Sequence, residues 1–362
     1  MSKMHNAEDE SFQKTRLDNL KDSIAQLDRV KLAQLPTPLV ELRSLSATLN
    51  GPRIFIKRDD LTGDLTSGGN KTRMLEFRLA PAVNQKADIL VSGFGIQSNH
   101  ARQVAAAARK LGMDTRLLLR RTRSQESILT QGNLLIDLLL GASIKIVDSP
   151  SFAEHAKLIE EEAEHLEAQG RKPYVTGYAD EDLSAVAYVA CSLEMFDQML
   201  HLGIKPDYIY VASEGATQAG LVLFSKYMED PYQVIGINMV DWVDDIPLRI
   251  SSIANTAANR LQIDLQIERE DIVNYGEYVG DGYGVPTAEC ISAIKLLAET
   301  EGILLDPVYS GKAMAGLINH VRMGRIGKDK TVIFLHTGGV PALFRHPDTF
   351  DFPGRFNSDE HS

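Results

Sequence analysis

The chain has 362 residues, 44% of them hydrophobic and 24% charged, a globular composition on a length that divides most naturally into two domains. A formal net charge of −11 excludes a nucleic-acid surface, which needs a basic face for the phosphates, while leaving room for a local cationic site for a small anion. Cys191 and Cys290 form no CxxC pair, which excludes a disulfide framework and a zinc site and suits a reducing compartment.

In chain order, residues 1–29 are polar and lack the apolar core of a signal peptide. Leu17, Leu20, Ile24 and Leu27 stand at helical spacing, so a frayed arm followed by a surface helix is expected over 1–30, with a dimer contact as the alternative. No stretch approaches the roughly 20 apolar residues that span a bilayer, and a cytoplasmic protein with no membrane partner is expected. From Gly51 a short strand over 53–57 leads through Arg58-Asp59-Asp60 into a glycine-rich run, Ser67-Gly68-Gly69-Asn70-Lys71-Thr72-Arg73.

Beyond that run, apolar segments at 89–91, 115–119 and 143–147 alternate with helical stretches at 99–112, 127–140 and 152–169. A second series of strands follows at 207–212, 234–237 and 331–335, and the chain past 347 reads as a polar tail. This alternation is the mark of βαβ units on parallel sheets. The expected class is α/β, two doubly wound domains with a cleft between them. Ligands in such sheets sit beyond the carboxyl ends of strands, which picks out the loops 92–99, 213–220 and 336–341.

Lys71 taken singly is either an ordinary solvated lysine or an amine at a helix start, between glycines that permit close approach of a ligand. In a cleft beside another cation its pKa would fall, and it would then form an imine and move protons near neutral pH. The loop 213–220 is either a tight turn or an anion cradle of free N–H groups at a helix N-terminus. It is neither a P-loop nor a GxGxxG fingerprint. Ser98 is either a plain N-cap or, with Asn99 and His100, a carboxylate-holding turn. Tyr283 would pass as a turn aromatic, Asp306-Pro307-Val308-Tyr309-Ser310-Gly311-Lys312 as a loop before a helix, and His336-Thr337-Gly338-Gly339 as a strand end.

Together and in this order, these motifs resemble the family of 1-aminocyclopropane-1-carboxylate (ACC) deaminase and D-cysteine desulfhydrase, which are pyridoxal 5′-phosphate (PLP) enzymes of the tryptophan-synthase-β type, fold type II. The resemblance runs from about Leu35 to Phe344 and rests on Gly-Gly-Asn-Lys-Thr-Arg, Gln97-Ser98-Asn99-His100, Thr217-Gln218-Ala219-Gly220, Tyr283-Gly284-Val285-Pro286, Asp306-Pro307-Val308-Tyr309 and His336-Thr337-Gly338-Gly339. It implies a large cofactor-binding domain from 31–72 with 190–348, a small domain over 73–189, and a tail from 349. It also implies PLP as cofactor, a small amino acid as substrate, a homodimer, and no metal. Lys71 would be the Schiff-base lysine and the acid/base at the α-carbon. Lys71, Ser98, Tyr283 and Tyr309 are the implied catalytic set. Asn70, Asn99, Gly215, Ala216, Thr217, Tyr309, Ser310 and Thr337 would bind the cofactor, with Asn99 on its 3-hydroxyl, Tyr309 stacked on the ring and 215–217 around the phosphate. Ser98, Asn99, His100 and Tyr283 would bind substrate.

Two positions separate the branches. ACC deaminases carry glutamate after the tyrosine of the VY motif and leucine in HLGG, where this chain has Ser310 and Thr337. A hydroxyl near the pyridine nitrogen leaves it closer to neutral, which suffices to expel a good leaving group from Cβ but suits ring opening less well. The resemblance therefore implies β-elimination, with D-cysteine giving pyruvate, ammonia and sulfide. The alternatives are another β-substituted amino acid such as cysteate, ring opening of ACC, or a PLP-binding carrier with little catalysis. Three departures bear on substrate and cofactor. Met74 stands where relatives have a phosphate-side lysine. Glu214 stands in the phosphate loop, where a carboxylate is costly without a compensating cation. The segment 176–184 is acidic. The run Arg120-Arg121-Thr122-Arg123 reads as a solvated loop or, facing the cleft, as an attractor for a sulfonate or carboxylate.

Overall fold

The computed structural model describes residues 2–352 apart from Asp64, Thr66, Ser67, 122–127, Pro150 and Tyr178, with backbone alone over 2–12. The strands are Leu39–Glu41 (β1), Arg53–Arg58 (β2), Ile89–Gly95 (β3), Asp114–Arg120 (β4), Ser143–Val147 (β5), Pro173–Val175 (β6), Tyr208–Ala212 (β7), Gln233–Ile237 (β8), Val273–Tyr275 (β9) and Thr331–His336 (β10). The α-helices begin with Ser2–Ala25 (α1), Arg43–Leu49 (α2), Asn70–Arg78 (α3), Ala80–Asn84 (α4), Asn99–Lys110 (α5) and Gly132–Leu139 (α6). They continue with Phe152–Ala168 (α7), Glu181–Leu202 (α8), Ala216–Tyr227 (α9), Ile246–Arg260 (α10), Ala288–Glu301 (α11) and Ser310–Arg322 (α12).

One sheet has the order β1-β2-β10-β7-β8-β9, parallel except for antiparallel β1 at its edge, and a second, all-parallel sheet has the order β5-β4-β3-β6. Side-chain alternation explains why both faces are covered. In β10, Ile333 and Leu335 enter one apolar core with α8, α9 and α10, while Val332 and Phe334 enter another with α11 and α12. The same alternation puts Leu117 and Leu119 of β4 on one side and Leu118 on the other. These are the two doubly wound α/β layers expected from the alternating pattern.

The remaining expectations fare unevenly. The strands at 89–91, 115–119, 143–147, 207–212, 234–237 and 331–335 all form, as do the helices near 99–112 and 152–169. The third helix starts only at Gly132, not 127, and 122–127 lie outside the described residues. The surface helix expected near the N-terminus forms as α1, continuous from Ser2, with Leu20 and Ile24 buried in the core beside α8 and most of its other described positions exposed. The C-terminal tail is docked at its beginning, with Phe350 packed on the core and stacked on Phe352; residues 353–362 lie outside the described chain. Helices α8, α10 and α11 have no counterpart among the expected elements, whereas α12 is the helix expected after the loop that begins at Asp306. Gly220 explains the closeness of α8 to α9, since a Cβ there would lie 2.2 Å from Ala185 O.

Candidate functional site

The carboxyl ends of the parallel strands in both sheets open onto one cavity of about 580 Å³. Its wall draws Gly95 from β3, Arg120 from β4, Ala212 and Ser213 from β7, Val240 after β8, and Thr337 and Gly338 after β10. Helix N-termini also reach it, those of α3, α5, α7, α8 and α9 among them. Of the residues implied by the motifs, Asn70, Lys71, Ser98, Asn99, His100, Gly215, Ala216, Thr217, Tyr283, Tyr309 and Thr337 all line this cavity. Ser310 does not. It is fully buried behind Tyr309, where its hydroxyl donates to Asp306 Oδ1 at 2.6 Å and accepts from Asp306 N at 2.9 Å.

The turn before α3 carries Lys71 to the centre. Gly69, at φ +127, is the N-cap, and a Cβ there would lie 2.7 Å from Gln103 Nε2; only glycine fits both demands. Thr62 clamps the turn, its hydroxyl accepting from Gly69 N at 2.8 Å and donating to Gly69 O at 2.9 Å. Asn70 N donates to Thr337 O at 3.0 Å and Asn70 Nδ2 to Thr217 Oγ1 at 3.2 Å. The lysine is thereby fixed against the loops after β7 and β10. Its Nζ has no hydrogen bond or ion pair among the described residues, and its pKa is lowered, chiefly by burial, with Glu214 pulling the other way and Arg78 adding to the lowering.

At the start of α9, Ser213 Oγ accepts from Gly215 N at 3.2 Å and Gln218 N at 3.1 Å. The N–H groups of Ala216 and Thr217, at the first two helical positions, have no intrahelical acceptor. Both residues line the cavity, and their N–H groups, with the helix dipole behind them, could hold an anion. At the start of α5, Ser98 is an N-cap in fact: its Oγ accepts from His100 N at 3.1 Å and Ala101 N at 3.2 Å. The His100 N–H is thus spent, and what Ser98 can still offer a ligand is its hydroxyl proton. Asn99 Oδ1 accepts from Asn133 Nδ2 at 2.9 Å, which leaves the Asn99 amide N–H₂ as its donor to a ligand. His100 Nε2 is buried without a partner, and burial, then Arg78 and Lys71, hold the imidazole well below its ordinary pKa and so neutral. Tyr283 and Tyr309 share a hydrogen bond between their hydroxyls, and burial pushes the Tyr309 phenol well above its ordinary value.

Charged residues unmarked by the motifs complete the wall. Arg78, two turns beyond Lys71, donates to Gly177 O at 2.7 Å and Ala179 O at 2.8 Å. Glu181, from the acidic segment, pairs with Arg249 of α10 at 2.5 Å, while its neighbour Asp182 pairs with Arg260. That segment is therefore a helix start tied to α10, and Tyr178 within it lies outside the described residues. Met74 is buried at the cavity edge. Arg120 lines the cavity, stacked 4.1 Å from the Phe152 ring centroid, whereas Arg121 turns away to Asp148 at 2.7 Å; Thr122 and Arg123 lie outside the described residues. Helical spacing from Lys71 would have pointed to Arg78, but Glu181 and Arg249 carry no local signal of the site.

This donor set fits PLP: an unpartnered buried amine, an empty-handed pair of helical N–H groups for a phosphate, an amide donor and a stacking tyrosine, all on one cavity. Among the described residues, no cluster of three metal-ligating side chains occurs and no helix is long and apolar enough to cross a membrane. Residues 30–338 match the family model of pyridoxal-phosphate dependent enzymes. The chain is 41% identical over 334 residues to a D-cysteine desulfhydrase of Serratia proteamaculans, covering 91% of this chain and 99% of that one. It is 39% identical over 330 residues to a D-cysteine desulfhydrase of Klebsiella pneumoniae, covering 90% and 98%. Among solved structures, an ACC deaminase homologue superposes with a TM-score of 0.82 at 33% identity, covering 91% of this chain and 98% of that one. A processed threonine deaminase isoform 2 from Solanum lycopersicum, at 17% identity and a TM-score of 0.60, covers 91% and 85% and shares the fold.

Proposed function

The chain belongs to the pyridoxal-phosphate dependent enzymes, and from that premise we propose that it desulfhydrates D-cysteine, releasing pyruvate, ammonia and sulfide. The observation that carries this reading is near-full-length identity of about 40% to D-cysteine desulfhydrases, on a cavity whose expected site residues converge. PLP, when bound, supplies the electron sink that makes the substrate's α-proton removable. The protein supplies orientation and proton handling.

In this reading Lys71 holds the cofactor covalently through Nζ and, once freed, takes the α-proton from the substrate, a role suited to an amine whose pKa burial has lowered. Asn99 N–H₂ would orient the cofactor's phenolic oxygen, the Ala216 and Thr217 N–H groups with Gly215 its phosphate, and Tyr309 its ring. Asn70 and Thr337 would hold the lysine turn in place. The Ser98 hydroxyl proton would meet the substrate carboxylate beside neutral His100. The Tyr283–Tyr309 hydroxyl pair stands on the substrate side, placed to pass a proton to a departing group. Ser310 would act from behind, by fixing the Asp306 carboxylate that also accepts from Val308 N and Tyr309 N at 2.9 and 2.8 Å. It would thereby set the tyrosine rather than touch the cofactor directly. The chain from 31–72 with 190–348 would be the cofactor domain and 73–189 the smaller one.

A second reading concerns the β-substituent. Arg120 Nε is buried in the cavity wall without a partner, which favours an anionic group there, as in cysteate. One panel tests both: D-cysteine, L-cysteine, cysteate and ACC, with keto acid, sulfide and sulfite measured for the protein and for Arg120→Gln. The expected outcome is sulfide and pyruvate from D-cysteine, unchanged within a few-fold by the substitution; loss of sulfite release alone in Arg120→Gln would bring cysteate forward. Keto acid from ACC alone would overturn the elimination reading.

We also propose a homodimer. Leu135, Leu138 and Leu139 on α6, with Leu139 76% exposed, adjoin the turn carrying Phe344 at 66%, an apolar surface of the kind that subunits cover. Light scattering should return twice the chain mass, and a monomer at micromolar concentration would reject the idea. A cytoplasmic location is supported by two buried free thiols and is checked by cell fractionation.

A further inference from the structure

A cofactor phosphate carries a charge of about −1.5 to −2 at neutral pH, and the N-terminus of α9 offers only about half a positive charge in return. Backbone N–H and hydroxyl donors can take up part of the remainder, and a cation beside the cradle would balance more of it. Among the described residues four line the cavity: Lys71, Arg78, Arg120 and Arg249. Lys71 is committed to covalent attachment. Arg120 belongs to β4, in the other sheet from the one that ends at the cradle. Arg78 has Nη2 held by the carbonyls of Gly177 and Ala179 and Nε buried without a hydrogen-bond partner, but no contact among the described residues ties it to the cradle, and Met74, one turn nearer to Lys71, brings no charge. Arg249 reaches in from the first turn of α10. A Cβ placed on Gly215, the N-cap of α9, would lie 3.6 Å from Arg249 Nε. The same nitrogen donates to Glu214 O at 3.2 Å, in the peptide that leads into the cradle.

We propose that Arg249 is the cationic anchor of the PLP phosphate, and that Glu181, its partner in the cofactor-free chain, competes with the phosphate for it. Glu181 Oε1 lies at the same 3.6 Å from the Gly215 position and 2.5 Å from the Arg249 guanidinium. It therefore occupies the arginine from the side on which the phosphate would arrive. Glu214 is a second carboxylate in the same wall. Burial, with Glu214 adding to it against the pull of Arg249, already holds the Glu181 carboxyl above its usual range. An arriving dianion disfavours its ionised form further, so uptake of the cofactor draws a proton onto Glu181 and frees the guanidinium. The inference rests on the PLP reading above and explains why acidic residues stand beside the cradle, since they take the place of the phosphate until it arrives.

The test compares binding of PLP with binding of pyridoxal, which lacks the phosphate, by equilibrium dialysis of cofactor-stripped full-length protein. Arg249→Gln is expected to weaken PLP by about tenfold to a hundredfold, the effect of one or two charge-assisted hydrogen bonds, and to leave pyridoxal unchanged. Arg249→Lys, retaining charge without the fork, should fall between. Glu181→Gln should tighten PLP several-fold and again spare pyridoxal. If Arg249→Gln and Arg249→Lys bind PLP as the unsubstituted protein does, or lose pyridoxal as steeply as PLP, the assignment is wrong. Dialysis reads the phosphate contact alone. Fixation of the cofactor to the chain by borohydride reduction reads Lys71, so protein that binds PLP but is not fixed on reduction would sink the lysine assignment while still scoring Arg249.

Discussion

Lys71→Ala is expected to abolish borohydride fixation of the cofactor to the chain and to lower keto-acid release from D-cysteine by about 10³-fold or more, the scale on which a positioned acid–base group contributes. The large effect follows from where the amine sits. Nothing among the described residues bonds to Lys71 Nζ, so its removal unpairs no partner and leaves no buried ion alone. The turn that positions it is held by backbone contacts through Gly69, Asn70 and Thr62, which the substitution leaves intact. Folding stability in urea should then stay within about 0.5 kcal/mol, as for a change away from packing and networks. The sign of the pH dependence follows too. A lysine whose folded pKa is lowered holds more of its neutral, nucleophilic form at any given pH than an ordinary lysine. Cofactor attachment should therefore reach half its maximal rate below pH 10.5, the ordinary value, and slow as pH falls further. A Lys71→Ala protein that still fixes the cofactor on reduction and keeps its turnover would remove the basis of the proposed function.

The two expectations that the sequence carries best, the parallel sheets and the site loops, share a physical cause: both are local. A buried strand such as 89–91 announces itself by consecutive apolar residues between turns, and Gly68-Gly69 announces a backbone that must turn where a side chain would collide. Ser98 is legible as a cap from its own chemistry. The 22-residue helix α8 is not, because it is buried on nearly every side, from Ala185 through Val189 and again at Cys191 to Leu193; a helix without a wet face has no amphipathic period to read. Strands β6 and β9, three residues each at sheet edges, offer too short a pattern. The N-terminal helix reads as surface because few of its positions are apolar, yet two, Leu20 and Ile24, suffice to dock it. Arg78, Glu181 and Arg249 belong to three helices that meet only in the fold. Residue type marks Glu214 and Met74 as unusual, but the cation that compensates them is brought there by α10.

The second large effect is expected at Asp59, away from the chemistry but bonded to Arg73, two residues after its lysine. Asp59 is wholly buried, and its carboxylate accepts from Arg73 Nε and Nη2 at 2.8 Å each, from Thr37 Oγ1 at 2.8 Å and from Tyr188 OH at 2.8 Å. Arg73 also donates to Glu194 at 2.8 and 2.9 Å, and buried Lys57 donates to Glu194 and Gln198. Two carboxylates and two cations thus close a neutral network that joins β2, α3 and α8. Asp59→Ala opens it and leaves Arg73 with one counter-ion in the interior. Breaking a buried pair from one side costs about 3–5 kcal/mol, which urea unfolding would register as a large fall in midpoint. Replacing both partners, Asp59→Leu with Arg73→Met, should recover part of the loss, because no charge is then stranded. Burial alone would raise the Asp59 pKa, but Arg73, then Lys57 and Thr37, hold it below its ordinary 3.8. A carboxyl with a depressed folded pKa contributes stability that is present above the unfolded value and lost as pH falls through the folded one. The unsubstituted protein should therefore lose stability below about pH 4 more steeply than Asp59→Asn does. Because Arg73 stands two residues after Lys71, Asp59→Ala should also weaken PLP uptake in the fraction that remains folded. A midpoint shift equivalent to less than about 1 kcal/mol would show instead that water enters and solvates the stranded guanidinium, and that the lysine helix is held by its apolar contacts with α8 alone.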